Sequence, residues 1–198
     1  MSKIQKEFYL RTDTLVIAKE LLGKVLCTSF RGISTSGIIC ETEAYCGTED
    51  RGSHAFGGRF TERTKIMYAE GGVSYVYLCY GIHHMFNVVT HVEAVPHAVL
   101  VRAIQPLEGI EHMLRRRKKK ESTPVLGAGP GIAAECLGIK TKHNGLSLTG
   151  SEIWIEDRGI PVGDIVESAR VGMSFEGPYK TIPWRFRIAG SAYTSRAK

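Results

Sequence analysis

Apolar positions along this chain come in short runs of two kinds. Thr14 to Leu22 reads as a helix, with Asp13 placed to cap it and Gly23 where a left-handed stop belongs. Val25-Leu26-Cys27, Gly37 to Glu43 and Ala98 to Ile104 are rich in branched residues and flanked by Gly, Ser and Pro, which predicts strands. Val73 to Tyr80 and Met85 to Thr90 are two further β-prone runs around Gly81-Ile82-His83-His84. They predict a hairpin with Tyr75 and Tyr77 on one face.

Pro106-Leu107-Glu108-Gly109 reads as a helix opening, with Arg115 to Lys120 at its far end, a charge order that suits the helix dipole. A shorter helix follows over Ile132 to Leu137, entered through Gly129-Pro130-Gly131, and later strands fall at Glu152–Ile155 and Arg185–Ile188. Residues 47 to 65 break the rhythm with Gly47, Gly52, Gly57 and Gly58, and a long irregular loop of this kind is more often functional than idle. The tail from Ser191 to Lys198 is polar. Strands outnumber helices and do not alternate with them, so residues 1–198 are expected to form one α+β domain with short flexible ends, rather than a doubly wound α/β fold.

Composition changes this picture little. A chain of 198 residues that is 43% hydrophobic suits one ordinary globular core, and a net charge of +6 leans towards an anionic partner. The five cysteines form no CxxC pair, and His83, His84, His91, His97 and His112 have no metal-ligand spacing, so neither a disulfide framework nor a metal site is expected. No apolar signal segment or membrane-length run is present, and an intracellular protein without membrane attachment is expected. GxSxG, Walker and Rossmann fingerprints are absent.

Candidate chemistry lies in four places. Glu41 and Glu43 project to one face of a strand, either as part of a pocket rim or as a solvated edge. Arg102 interrupts an apolar run; if buried it needs an anion, Glu43 or a phosphate, and otherwise it faces water. Tyr45, His54, Tyr75, Tyr77 and Tyr80 could sandwich an unstacked base or simply pair across strands. Arg115 to Lys120 is either a phosphate contact or a solvated helix end.

Taken in order, several segments resemble the alkyladenine (3-methyladenine) DNA glycosylase family. They are Glu41-Thr42-Glu43-Ala44-Tyr45, His54, Gly57-Gly58-Arg59 before Thr61, Tyr75 to Gly81, Asn87, Val99 to Ala103, Pro106 to Gly109, Gly127 to Gly131, Arg170-Val171-Gly172 and Trp184-Arg185-Phe186. The resemblance runs colinearly over roughly positions 7 to 193. It implies a curved, mainly antiparallel sheet (a partial barrel) with flanking helices and a protruding β-hairpin.

It also implies a monofunctional enzyme that flips damaged purines out of duplex DNA and hydrolyses the N-glycosidic bond. Methylated adenine would be the main substrate, with hypoxanthine and ethenoadenine as further ones. Under it, Glu43 is the general base, Arg102 and the carbonyl of Val171 help to hold the water, and Tyr45, His54 and Tyr77 wall the base pocket. Asn87 disfavours guanine-type bases, Tyr80 is the wedge that fills the gap in the duplex, and Arg59, Thr61, Arg115 and Arg116 contact DNA. No metal or organic cofactor is expected, the partner is double-stranded DNA containing damaged purines, and the protein is expected to act as a monomer. A lesion-binding protein without catalysis and an RNA-binding β-domain are the alternatives. Thr64 stands where the family usually has Asn, and Ile132 where it usually has Lys; the run Arg115 to Lys120 offers compensating phosphate contacts.

Overall fold

The computed structural model describes residues 2–195, so the last three residues of the polar tail, 196–198, lie outside the described residues. Nine strands form one open sheet: β1 Ser2–Lys3, β2 Val25–Phe30, β3 Ile33–Cys46, β4 Ser74–Cys79, β5 His83–Thr90, β6 His97–Glu108, β7 Ile153–Asp157, β8 Ile165–Ser168 and β9 Arg185–Ile188. Their order is β1-β7-β2-β3-β6-β5-β4, every pairing is antiparallel, and β9 joins β3 to β8. Five α-helices among the described residues accompany the sheet: α1 Lys6–Tyr9, α2 Thr14–Glu20, α3 Ile110–Arg117, α4 Pro130–Leu137 and α5 Pro178–Thr181. This is the expected α+β architecture. No helix among the described residues is long and apolar enough to cross a membrane.

Local chemistry explains the main elements. The Asp13 carboxylate accepts from the N–H groups of Leu15 and Val16, satisfying two orphan donors at the start of α2. Ile17 and Leu21 of that region pack with Leu26, Ile39, Val99 and Val101 of the sheet and with Met113 and Leu137 of α3 and α4. The hairpin β4–β5 turns through Tyr80 and Gly81, both with positive φ, and the N–H of Ile82 bonds back to the carbonyl of Cys79.

One reading of the sequence is corrected here. Pro106, Leu107 and Glu108 do not open a helix; they end β6, where Pro106 lies opposite Gly37 and Glu108 opposite Ser36. Proline is tolerated there because a register shift at Ser36/Gly37 disrupts the ladder. The helix starts after Gly109, whose φ of 68° makes the turn, and it stops at Arg117, so Lys118 to Lys120 lie beyond it.

β3 is the organising strand. Along one edge it pairs with β6 from Ser36 to Cys46; along the other it pairs first with β2 and then, over Glu41–Glu43, with β9. Near this exchange the β3–β6 register slips twice. Cys40 is the extra residue on β3 between Ile39↔Ile104 and Glu41↔Ala103, and Arg102 is the extra residue on β6 between Glu41↔Ala103 and Thr42↔Val101. The first bulge moves Glu41 and Glu43 off the face that carries Ile39, while Thr42 and Ala44 turn towards α2 and the core.

Gly127 closes this region by accepting from the N–H of Ile104, and Ala128 bridges to Ala103. A Cβ at Gly127 would stand 2.1 Å from the Ile104 carbonyl oxygen. Gly127→Ala is therefore expected to cost about 1–3 kcal/mol of stability. An unchanged urea midpoint would show that the close approach does not constrain the fold.

Candidate active site

The double bulge assembles a buried charge cluster. Arg102 donates from Nε to Glu41 Oε1 (3.0 Å) and from Nη1 to Glu43 Oε2 (3.3 Å), so both carboxylates of the Glu-Thr-Glu segment converge on one guanidinium. Burial works against the charge of Arg102, but Glu43 and Glu41 more than offset it and raise its pKa. Glu41 also accepts from Arg185 Nε (2.6 Å), from the backbone N–H of Ser195 (2.6 Å) and from its hydroxyl (2.8 Å). Ser195, in the tail read as polar, is thus buried against the site. Glu41 is the buried anchor, with every observed contact directed to protein.

Glu43 has a different setting. Its Oε1 accepts from the N–H of Val171 (2.8 Å) and its Oε2 from the hydroxyl of Tyr45 (2.8 Å). It is the N–H of Val171 that reaches this carboxylate. Tyr45 is held protonated, since burial and then Glu43 push its pKa well above the ordinary value. Arg102, Tyr45 and Val171 line a pocket of about 440 Å³, and Glu43 sits immediately behind them.

The pocket's other walls are aromatic and amide. Tyr77 and His54 meet edge to face with centroids 4.6 Å apart, and Asn87, Leu100 and Phe175 are among the other lining residues. Asn87 is paired with Tyr75 across the hairpin and donates from Nδ2 to the Tyr75 carbonyl (3.1 Å), which fixes its amide. His54 lies 2.8 Å from the Tyr75 hydroxyl through Nδ1 and 3.3 Å from Arg63 through Nε2. A guanidinium only donates, so Nε2 accepts and the proton resides on Nδ1. Burial, Arg63 and Arg59 lower the His54 pKa to about 4. Tyr80 stands 91% exposed at the hairpin tip beside the pocket, in the left-handed region.

Two side chains to which the sequence reading gave no role, Arg170 and Arg63, stand behind the pocket walls. Arg170 forms a wholly buried pair with Asp50 (2.6 Å), bonds the Ala44 carbonyl, and lies over the Tyr45 ring at 4.7 Å; it fixes that wall from behind. Arg63 does the same for Tyr77, at 4.8 Å. Thr64 is buried and its hydroxyl meets the Thr61 N–H, the Thr61 hydroxyl and the Arg59 carbonyl, so it shapes the loop that carries Arg59 and Thr61. Arg116 is tied to the Cys136 carbonyl and Thr35, and Arg117 to Glu135; Arg115 is exposed. Ile132 packs against the core.

The site is thus a buried carboxylate bridged to arginine behind an aromatic pocket, next to an exposed hairpin tip. A family model described as methylpurine-DNA glycosylase matches residues 7–192, and the chain belongs to that family. It is 44% identical over 186 residues to a protein of Chlamydia felis, covering 93% of this chain and 95% of that one. It is also 44% identical over 203 residues to one of Clostridium acetobutylicum, with 99% and 98% covered, and 42% identical over 202 residues to one of Desulfitobacterium hafniense, with 98% and 99% covered. Each of these relatives carries the name "Putative 3-methyladenine DNA glycosylase".

The state of His54 has a measurable consequence. His97 is likewise lowered to about 4, by burial and then His91. Both rings stay neutral in the folded protein while the unfolded chain takes up protons near pH 6.5, so stability falls as pH drops from about 6.5 towards 4. NMR titration of the ring carbons should place the His54 midpoint near pH 4; a midpoint near 6.5 would contradict the buried, arginine-facing environment.

Proposed function

We propose that this chain is a monofunctional DNA glycosylase that draws a damaged purine out of duplex DNA into the aromatic pocket and hydrolyses its N-glycosidic bond. The observation that carries this reading is the position of Glu43: a buried carboxylate, locked by Arg102, Tyr45 and Val171, directly behind a pocket walled by Tyr45, Tyr77 and His54. A base stacked in duplex DNA is out of reach of any carboxylate, so the nucleotide must be extruded, at a cost of a few kcal/mol. Tyr80 at the exposed tip offsets part of that cost by filling the gap from the minor groove. Tyr45, Tyr77 and His54 hold the extruded base, and Asn87, with its amide fixed, disfavours bases that carry the guanine amino group.

Cleavage builds positive charge on the sugar as the base departs. Glu43 stabilises that charge and takes a proton from the attacking water, which reaches it from the pocket side beside Arg102 and Val171. A 3-methylated adenine carries its own electron withdrawal and leaves readily, whereas hypoxanthine and ethenoadenine need proton donation to the base. The pocket lining contains no lysine among the described residues, which supports hydrolysis without a Schiff-base step. The protein acts as a monomeric domain on double-stranded DNA.

Single-turnover assays on methylated DNA and on duplexes with one ethenoadenine or hypoxanthine test this reading. Release of 3-methyladenine or an adenine-type lesion, leaving an intact abasic strand, is expected. Glu43→Gln should keep lesion binding and lose roughly 10²–10⁴-fold in excision rate. Tyr80→Ser should weaken binding and slow excision together. Tight lesion binding without base release by the unaltered protein would make it a recognition protein.

A further inference from the structure

Behind the hairpin lies a second cleft, of about 820 Å³. Alternation along β5 turns Met85 and Asn87 to the base pocket and Phe86 to the core; His84 shares the Phe86 side, where its Nδ1 accepts from the Thr141 N–H at 3.2 Å. The cleft therefore opens on the reverse side of the hairpin that carries Tyr80. Its far wall is the turn between β2 and β3. That turn, Arg31-Gly32, has φ values of 53° and 78°, and the Tyr80-Gly81 turn has 50° and 72°. The two tips share the same positive-φ pattern, and each presents a large exposed side chain at its first position.

The cleft is basic where it is open. Arg31, Lys140 and Lys142 are exposed and have no ion-pair partner among the described residues. Of the two wall carboxylates, Glu135 is occupied by Arg117, which leaves Glu152. His84 and His143 also line it, and each accepts a backbone N–H at Nδ1, His143 from Lys140 at 3.0 Å. Burial, helped by Lys140 for His84 and by Lys142 for His143, holds both rings neutral. Each ring thus presents Nε2–H as a donor without a partner among the described residues.

We propose that this cleft holds the sugar-phosphate backbone of the undamaged DNA strand, gripped by Arg31, Lys140 and Lys142. The inference rests on the glycosylase reading. A hairpin tip in the minor groove has one backbone on each side: the strand that delivers its base lies on the pocket side, and the other runs along the reverse side. A phosphodiester there meets two ammonium groups, a guanidinium and the neutral imidazole donors. These charges are free where Arg116 and Arg117 are not.

The test compares one tetrahydrofuran-containing oligonucleotide free and annealed to its complement. In the triple variant Arg31→Gln, Lys140→Gln, Lys142→Gln, duplex affinity should fall roughly tenfold or more near physiological salt, and the log K against log salt slope should drop by about three. Affinity for the single strand should stay within about twofold of the unaltered protein. Equal losses on both forms, or no loss on either, would overturn the proposal. The three side chains are exposed, and the single variants Arg31→Glu and Lys142→Glu repeat the comparison should the triple variant not fold. The measurement is of binding, so it is decided independently of base release; an unaltered protein that binds neither form would instead refute the glycosylase reading.

Discussion

The site depends on a slip of one residue in the β3–β6 ladder. With perfect alternation from Ile39, Glu41 and Glu43 would point into the hydrocarbon packed beneath α2. The extra residue at Cys40 sends them to the opposite face, and the extra residue at Arg102 brings a guanidinium to meet them. Neither change works without the other. Two ionised carboxylates without the arginine, or the arginine without them, would be uncompensated charge in a dry interior, a penalty of several kcal/mol per ion. Thr42, between the two acids, shows the cost avoided: its hydroxyl is the one polar group of that segment turned inward, and it is satisfied by the Ala18 carbonyl.

Division of labour between the two glutamates follows from what surrounds them. Glu41 is bonded on every observed side by Arg102, Arg185 and Ser195, which makes it a fixed counter-charge. Glu43 is bonded by three groups that also line the pocket, so its position is coupled to the pocket walls. The walls are in turn backed by cations, Arg170 behind Tyr45 and Arg63 behind Tyr77. Such aromatic faces hold their geometry before any ligand arrives.

Much of this was legible in the chain. Asp13 and Gly23 bracket α2 as their chemistry requires, and Gly81 between two β-prone runs marks the hairpin with Tyr75 and Tyr77 on a common face. Arg102 within an apolar run signalled a need for an anion, and the carboxylates are there. The bulges were not legible, because period-two patterning has no mark for a slipped residue when both faces of a strand are buried. Pro106 and Glu108 imitate a helix start because the same residue types also suit a disrupted strand end. The Arg170–Asp50 pair and the docking of Ser195 join residues 120 and 154 positions apart, and spacing carries no information over such distances.

Those separations bear on the order in which the molecule is built. Glu41 meets Arg185 and Ser195 across 144 and 154 residues of chain, and Glu43 meets Val171 across 128. Contacts this remote are entropically the last to be repaid as a chain condenses. The sheet of β2 to β6 is bounded by much shorter loops, so it can close while its two glutamates are still hydrated and its arginine is only partly matched. Residues 170–195 are therefore expected to seal that edge late, with the contacts of Glu41 and Glu43 to Arg185, Ser195 and Val171 among the last to form. Loss of that edge alone would leave a largely intact scaffold with no working centre.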